Sequence, residues 1–148
     1  MAESLDGVSL FSGLDAGQRA VLARAMVDMD LPAGHVMFRQ GEKAGGTVGL
    51  YVLRSGSLTV SVARPQGGFA TIREVVPGEV VGVIGLVNPD STRTGTVVAG
   101  APSRVSHLSR TAFLALYHSS APLACAFQLA LARQLVQDLR VVDGALRD

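Results

Sequence analysis

The chain has 148 residues, 48% of them apolar and 17% charged, which suits one folded core and excludes a disordered or charge-rich extended segment. Thirteen basic against twelve acidic side chains leave a formal charge of +1, too balanced for the broad basic surface that drives charge-led binding to nucleic acid. Direct contact with nucleic acid is therefore not expected. The single cysteine, Cys125, excludes an intrachain disulfide framework and a cluster of thiolate metal ligands. Residues Met1 to Asp6 hold no basic stretch leading into an apolar run, and no later uncharged stretch suffices to cross ~30 Å of hydrocarbon, so a cytoplasmic protein without membrane insertion is expected.

From Asp15 to Asp28 the residues Val21, Leu22, Ala25 and Met26 recur at helical spacing behind a candidate N-cap, Asp15, and Pro32 ends that helix. Of the 17 glycines, 13 fall between Gly34 and Gly100, which marks the middle of the chain as short strands joined by tight turns. The predicted strands there are Val36–Phe38, Tyr51–Leu53, Leu58–Val62, Thr71–Val76, Thr96–Ala99 and Arg104–Leu108. Ser55-Gly56 reads as a hairpin turn into Leu58–Val62, where Leu58, Val60 and Val62 alternate with Thr59 and Ser61. Such short strands favour a small sandwich, jelly roll or barrel over a parallel sheet.

Thr111 is a candidate N-cap for a helix through Phe113, Leu114 and Leu116, and Pro122 restarts a second one. In that last helix Ala132, Leu135, Leu139, Val142 and Leu146 form a narrow apolar stripe, suited equally to dimerisation and to packing on the domain's own β-core. Cys125, among Leu123, Ala124, Ala126 and Phe127, is expected to be buried and inert. His35, His107 and His118 have no paired-ligand spacing and are expected on the surface or in turns. No catalytic constellation, metal site or cofactor site emerges, and the protein is not expected to be an enzyme.

One segment strains ordinary strand chemistry, Pro77 to Gly95. It combines Gly82 and Gly85, where backbone approaches a ligand closely, with a solitary Arg93 beyond a polar loop. Free N–H groups at a short helical turn facing one guanidinium suit an anion such as a phosphate.

At these residues the sequence resembles the cyclic-nucleotide-binding domain of the catabolite activator protein, kinase regulatory subunits and nucleotide-gated channels. The resemblance begins at Leu10-Phe11-Ser12-Gly13-Leu14, runs through Leu31 to Glu42 and Leu50 to Val60, and covers nearly the whole chain. It implies a mainly β fold: one antiparallel jelly roll, or double-stranded β-helix, at 34–110 between a helical segment at 1–33 and C-terminal helices at 111–148. The family's phosphate-binding cassette reads here as Gly82-Val83-Ile84-Gly85-Leu86, then Arg93-Thr94-Gly95.

By position, the resemblance implies that Arg93 pairs with the cyclic phosphate, that N–H groups around Gly85 and Leu86 cradle it, and that Thr94 adds a hydroxyl. Val83 departs from the pattern, because it stands where the family has a glutamate that accepts from the ribose 2′-hydroxyl. A hydrogen bond to a charged group is worth roughly 1.5–3 kcal/mol, so affinity is expected to fall by about tenfold or more. Two readings result. One is a regulatory sensor of cAMP or cGMP that moves its C-terminal helices and acts through a homodimer or partner protein. The other is a degenerate, ligand-free interaction or dimerisation module. Arg93 favours the first, since an arginine buried without an anion carries an unmet desolvation cost.

Overall fold

The computed structural model describes residues 3–88 and 90–147; Pro89 and the Leu146 side chain, part of the predicted stripe, lie outside the described residues. Eight strands make two four-stranded antiparallel sheets. In the first, β1 (Val27–Leu31), β8 (Ser103–Ser109), β3 (Gly49–Ser55) and β6 (Val80–Val81) lie side by side in that order. In the second the order is β2 (Val36–Phe38), β7 (Thr96–Ala99), β4 (Leu58–Ala63), β5 (Phe69–Val75). Helix α1 (Ala16–Arg24) precedes the sheets, the short α2 (Val83–Val87) interrupts them, and α3 (Arg110–Ser119) and α4 (Ala121–Arg147) follow. This is the expected β-roll with helical ends.

The core has two compartments, and β3 builds both. Leu50 and Val52 point toward the helices, where they meet Leu10, Leu22, Leu86 and Phe127, while Tyr51 and Leu53 point between the sheets toward Phe38, Leu58 and Val97. Because both faces of β3 are covered, Gly49 to Leu53 is buried throughout and shows no apolar–polar alternation. On the helical side Phe127 of α4 stacks on Phe11 at 5.7 Å and packs against Phe113 of α3 at 5.3 Å. The start and the end of the chain thus share one aromatic cluster, worth about 0.5–1.5 kcal/mol per ring pair beyond area burial.

Three local expectations change. The first helix stops at Arg24, and Val27 to Leu31, which alternates apolar and acidic residues, pairs with β8 instead. That edge is fastened by the buried Ser106 hydroxyl, which donates to Asp28 Oδ1 at 2.6 Å and accepts from Arg54 Nε at 2.8 Å, with Arg104 on Asp28 at 3.0 Å. The Asp15 cap is present as a reciprocal capping box with Gln18. The cap of α3 lies two residues earlier than Thr111, because the Ser109 hydroxyl accepts from the Ala112 N–H.

The turn at Ser55-Gly56 makes no hairpin within a sheet. β3 and β4 belong to different sheets, so the turn carries the chain from one to the other. Gly56 has φ +90°, and a Cβ there would lie 2.2 Å from Ser103 Oγ and 2.6 Å from the Pro102 carbonyl. Any side chain at this position meets strain and collision together. Gly56→Ala is expected to lower the unfolding free energy by about 2 kcal/mol, read as a reduced urea midpoint at unchanged slope.

Candidate functional site

A cavity of about 470 Å³ lies between the second sheet, the α2 segment and the last turns of α4, within the range of small-molecule sites. Aliphatic side chains make most of its wall: Val60 and Val62 from β4, Ile72 from β5, Val81, Val97, and Leu135 and Val142 from α4. The alternation of β4 turns Val60 and Val62 into this space.

Arg93 provides the cation. It is only 9% exposed, and no carboxylate lies within salt-bridge distance of its guanidinium among the described residues. Its Nη2 donates to the Thr47 carbonyl at 3.0 Å and to Thr47 Oγ1 at 2.9 Å, and its Cζ sits 3.7 Å above the Phe38 ring. Those neutral contacts hold the plane of the guanidinium without cancelling its charge. Burial pulls the Arg93 pKa down and Tyr51 opposes the shift, yet a guanidinium stays protonated at neutral pH. The absence of a side chain at Gly85 makes room, since a Cβ there would lie 3.1 Å from Arg93 Nη1.

The backbone around α2 explains why a glycine starts it. Gly82 has φ +91°, and a Cβ on it would lie 2.4 Å from the Gly49 carbonyl. From there the N–H groups of Val83, Ile84 and Gly85 make no hydrogen bond among the described residues, whereas the Leu86 N–H is spent on the Gly82 carbonyl. Of the two amides expected around a phosphate, Gly85 thus has the uncommitted one. The guanidinium of Arg110 donates to the Leu86 carbonyl, tying the end of α2 to the start of α3.

The structure brings Gly82 to Leu86 together with Arg93 and Thr94 in one place, with all but Leu86 on the cavity wall. Leu86 is fully buried in the helical-side core, Ile84 is half-buried, and Thr94 is exposed at the rim. Val83 is 2% exposed and packs in the helical-side core.

Sequence reasoning missed several residues here. Thr47 and Phe38, which hold Arg93, lie far from it in the chain and carry no motif of their own. Arg73 and Asp138 were missed too. Arg73 of β5 donates to the Val80 carbonyl at 2.9 Å and meets Asp138 of α4 at 3.4 Å, and Gln134 donates to Asp138 at 2.9 Å. This cluster fastens α4 to the β-roll beside the cavity. Burial raises the Asp138 pKa and Glu79 adds to it, against the lowering effects of Gln134 and Arg73.

Leu135, Leu139 and Val142 line the chain's own cavity, one of the two roles the predicted stripe allowed, while Ala132 is exposed. One further expectation changes. Cys125 is exposed, because its position on α4 turns it away from the inward-facing Leu123, Ala124 and Phe127.

A family model described as "cyclic nucleotide-binding domain" matches residues 28–120, more than half of the chain. The chain belongs to the cyclic nucleotide-binding domain family. It is 34% identical over 104 residues to a cAMP-dependent protein kinase regulatory subunit of Blastocladiella emersonii, covering 70% of this chain and 25% of that one. It is 25% identical over 112 residues to a CRP-like cAMP-activated global transcriptional regulator of Mycobacterium tuberculosis, covering 76% of this chain and 48% of the relative. The chain therefore spans about half or less of the length of these relatives. A crystal structure of a cyclic nucleotide-binding domain from Methylobacillus flagellatus superposes with a TM-score of 0.81 at 22% identity, over 97% of this chain and 79% of that one, and shares its fold. Among the described residues no helix is long and apolar enough to cross a membrane, and no group of acidic, histidine or cysteine side chains is placed to hold a metal.

Within this cyclic nucleotide-binding domain, His107 departs from the surface role expected of it. Its ring stacks on Tyr51 at 4.1 Å with the planes 2° apart, and its Nε2 is buried without a hydrogen-bond partner among the described residues. Tyr51 in turn donates to the Thr47 carbonyl that Arg93 also uses. Burial lowers the His107 pKa, a hydrogen bond with the Val48 backbone opposes this, and the Arg93 charge adds to it. The native state favours neutral imidazole, so this contribution to stability is present above the ordinary histidine pKa of about 6.5 and is lost as pH falls through it. The melting temperature is expected to drop between about pH 7 and pH 5, and to drop less in His107→Gln, as read by differential scanning fluorimetry.

Proposed function

We propose that this domain is a regulatory sensor that takes a cyclic nucleotide, cAMP or cGMP, through its phosphate. The observation that carries this reading is the Arg93 guanidinium, 9% exposed beside a cavity of about 470 Å³ with no carboxylate among the described residues close enough to neutralise it. A buried cation in that state has an unmet electrostatic requirement, and a phosphate entering the cavity meets it with paired N–H donors. The unbonded amides of Val83 to Gly85 add donors from a second side. A regulatory role is in keeping with the printed names of the relatives, a cAMP-activated transcriptional regulator and a cAMP-dependent kinase regulatory subunit.

The route from ligand to output runs through α4. Residues up to Leu131 are anchored in the core, while Leu135, Asp138 and Val142 border the cavity. A ligand that fills the cavity presses on this second half of the helix, and a signal requires that it bind one helix position better than another. Calorimetry with cAMP and cGMP is expected to give saturable binding that Arg93→Ala abolishes. Absence of heat at millimolar nucleotide refutes the sensor reading and leaves the ligand-free module, the alternative favoured by Val83.

The output surface is a second face of α4, turned away from the cavity. Leu129 and Val136 are 54% and 50% exposed and lie seven residues apart, with the exposed Ala132 between them. A second copy presenting the same face buries these residues in a two-helix seam. Sedimentation is expected to give twice the monomer mass for the wild type and the monomer mass for Val136→Lys, which leaves the cavity wall untouched.

A further inference from the structure

One titratable ring lies behind the cation without reaching the cavity. His107 of β8 is half-buried and is not on the cavity wall, and its ring lies flat on Tyr51 of β3 at 4.1 Å. Gly49 lets it sit there, since a Cβ at that position would lie 2.4 Å from His107 Nε2. Tyr51 carries the contact forward to the site. Its hydroxyl donates to the Thr47 carbonyl at 3.0 Å, where Arg93 Nη2 also donates at 3.0 Å, and its ring meets Phe38, over whose face the guanidinium sits at 3.7 Å.

The charge that acts on His107 is positive. Arg93 disfavours the protonated ring, and no carboxylate lies within salt-bridge distance of it among the described residues. On β1 the residue paired with His107 is Val27, while Asp28 and Asp30 pair with Ser106 and Arg104 on the other face of the sheet, where Arg104 holds both carboxylates. On β3 the facing group is Tyr51, whose phenol burial keeps neutral. From α3, Arg110 sends its guanidinium to the Leu86 carbonyl.

An anion seated on Arg93 reverses this balance, because it cancels the repulsion and adds an attractive charge across the same aromatic pair. A ligand that eases protonation of the ring is, by linkage, bound more tightly once the ring is protonated. We propose that anion binding at Arg93 is coupled to proton uptake by His107, so that the pocket holds a cyclic phosphodiester more tightly in mildly acidic than in alkaline solution. The inference rests on the cyclic-nucleotide reading above and adds the proton as a second effector. The free domain keeps His107 neutral to below the ordinary value of about 6.5, whereas the bound domain takes the proton at higher pH. Affinity thus rises as pH falls through the bound-state midpoint and levels off below the free-state one.

A cyclic phosphodiester lacks the second phosphate proton and stays a monoanion between about pH 5 and about pH 8, so a pH dependence in that range belongs to the protein. The test follows the three histidine rings by NMR on the full chain across this range, without ligand and with saturating cAMP or cGMP. The His107 midpoint is expected to rise by about 0.3 or more, with the exposed His35 and His118 unmoved. Calorimetry is expected to give a dissociation constant lower by about twofold or more at the acid end, and no such dependence in His107→Gln. A His107 midpoint that the nucleotide leaves in place, or equal affinity at both ends, overturns the inference and keeps the cyclic-nucleotide reading. A pH dependence that survives in His107→Gln belongs to another group, such as Asp138 on the cavity wall, and likewise overturns it. The ring midpoints are read on the wild type, so the test stands even where His107→Gln does not fold. Failure of cAMP and cGMP alike to bind at millimolar concentration overturns the two readings together.

Discussion

A guanidinium buried with no carboxylate beside it among the described residues is the constraint around which this domain is arranged. Arginine cannot shed its proton at neutral pH, so the cost of removing Arg93 from water has to be met by neutral groups or by an incoming anion. Thr47 and Phe38 supply the neutral part, one by two hydrogen bonds and the other by the face of its ring. Each contact leaves the positive charge intact. The missing side chain at Gly85 and the positive φ of Gly82 serve the same end, since a Cβ at either position meets the guanidinium or the Gly49 backbone.

The β-roll can supply this because its core is divided. β3 sends alternate residues into two compartments, so the helical side has an aromatic cluster of its own while the inter-sheet side holds Phe38 and Tyr51 close to Arg93. The site therefore sits against a rigid wall. Tyr51 joins the two regions: its ring stacks on His107 and its hydroxyl shares the Thr47 carbonyl with Arg93. The packing that stabilises the first sheet also fixes the cation.

Much of this was legible because local chemistry repeats in the chain. The alternation of Leu58 to Val62, the glycines of the turns and the cassette from Gly82 to Gly95 each carry a signal within a few residues. Val27 to Leu31 carried one as well, the alternation Val-Asp-Met-Asp-Leu, but the helical spacing just before it masked the change of period. The sheet assignment of β3 and β4 was not legible, since a glycine turn looks alike whether it closes a hairpin or crosses between sheets. Contacts such as Arg93 with Thr47 and Arg73 with Asp138 join residues 46 and 65 positions apart, and no local pattern encodes them. The orientation of Cys125 turned on which side of α4 faced the core, which depends on Phe11 and Phe113 as much as on the helix itself.

Helix α4 is one continuous rod with two kinds of footing. Its first turns are wedged by Phe127 and Leu131 into close-packed aromatic and aliphatic neighbours, whereas its later turns rest on a hollow. Past that wedge the Arg73–Asp138 contact ties the rod to the β-roll across the hollow, so on the proposed sensor reading anything that loosens this tie would be amplified along the helix. With a rise of about 1.5 Å per residue, the part beyond Leu131 reaches roughly 24 Å, so a lean of roughly 10° carries its tip about 4 Å. On the proposed sensor reading, displacements too small to register at the cavity wall would thereby become large enough to remake or separate a contact with a neighbouring molecule.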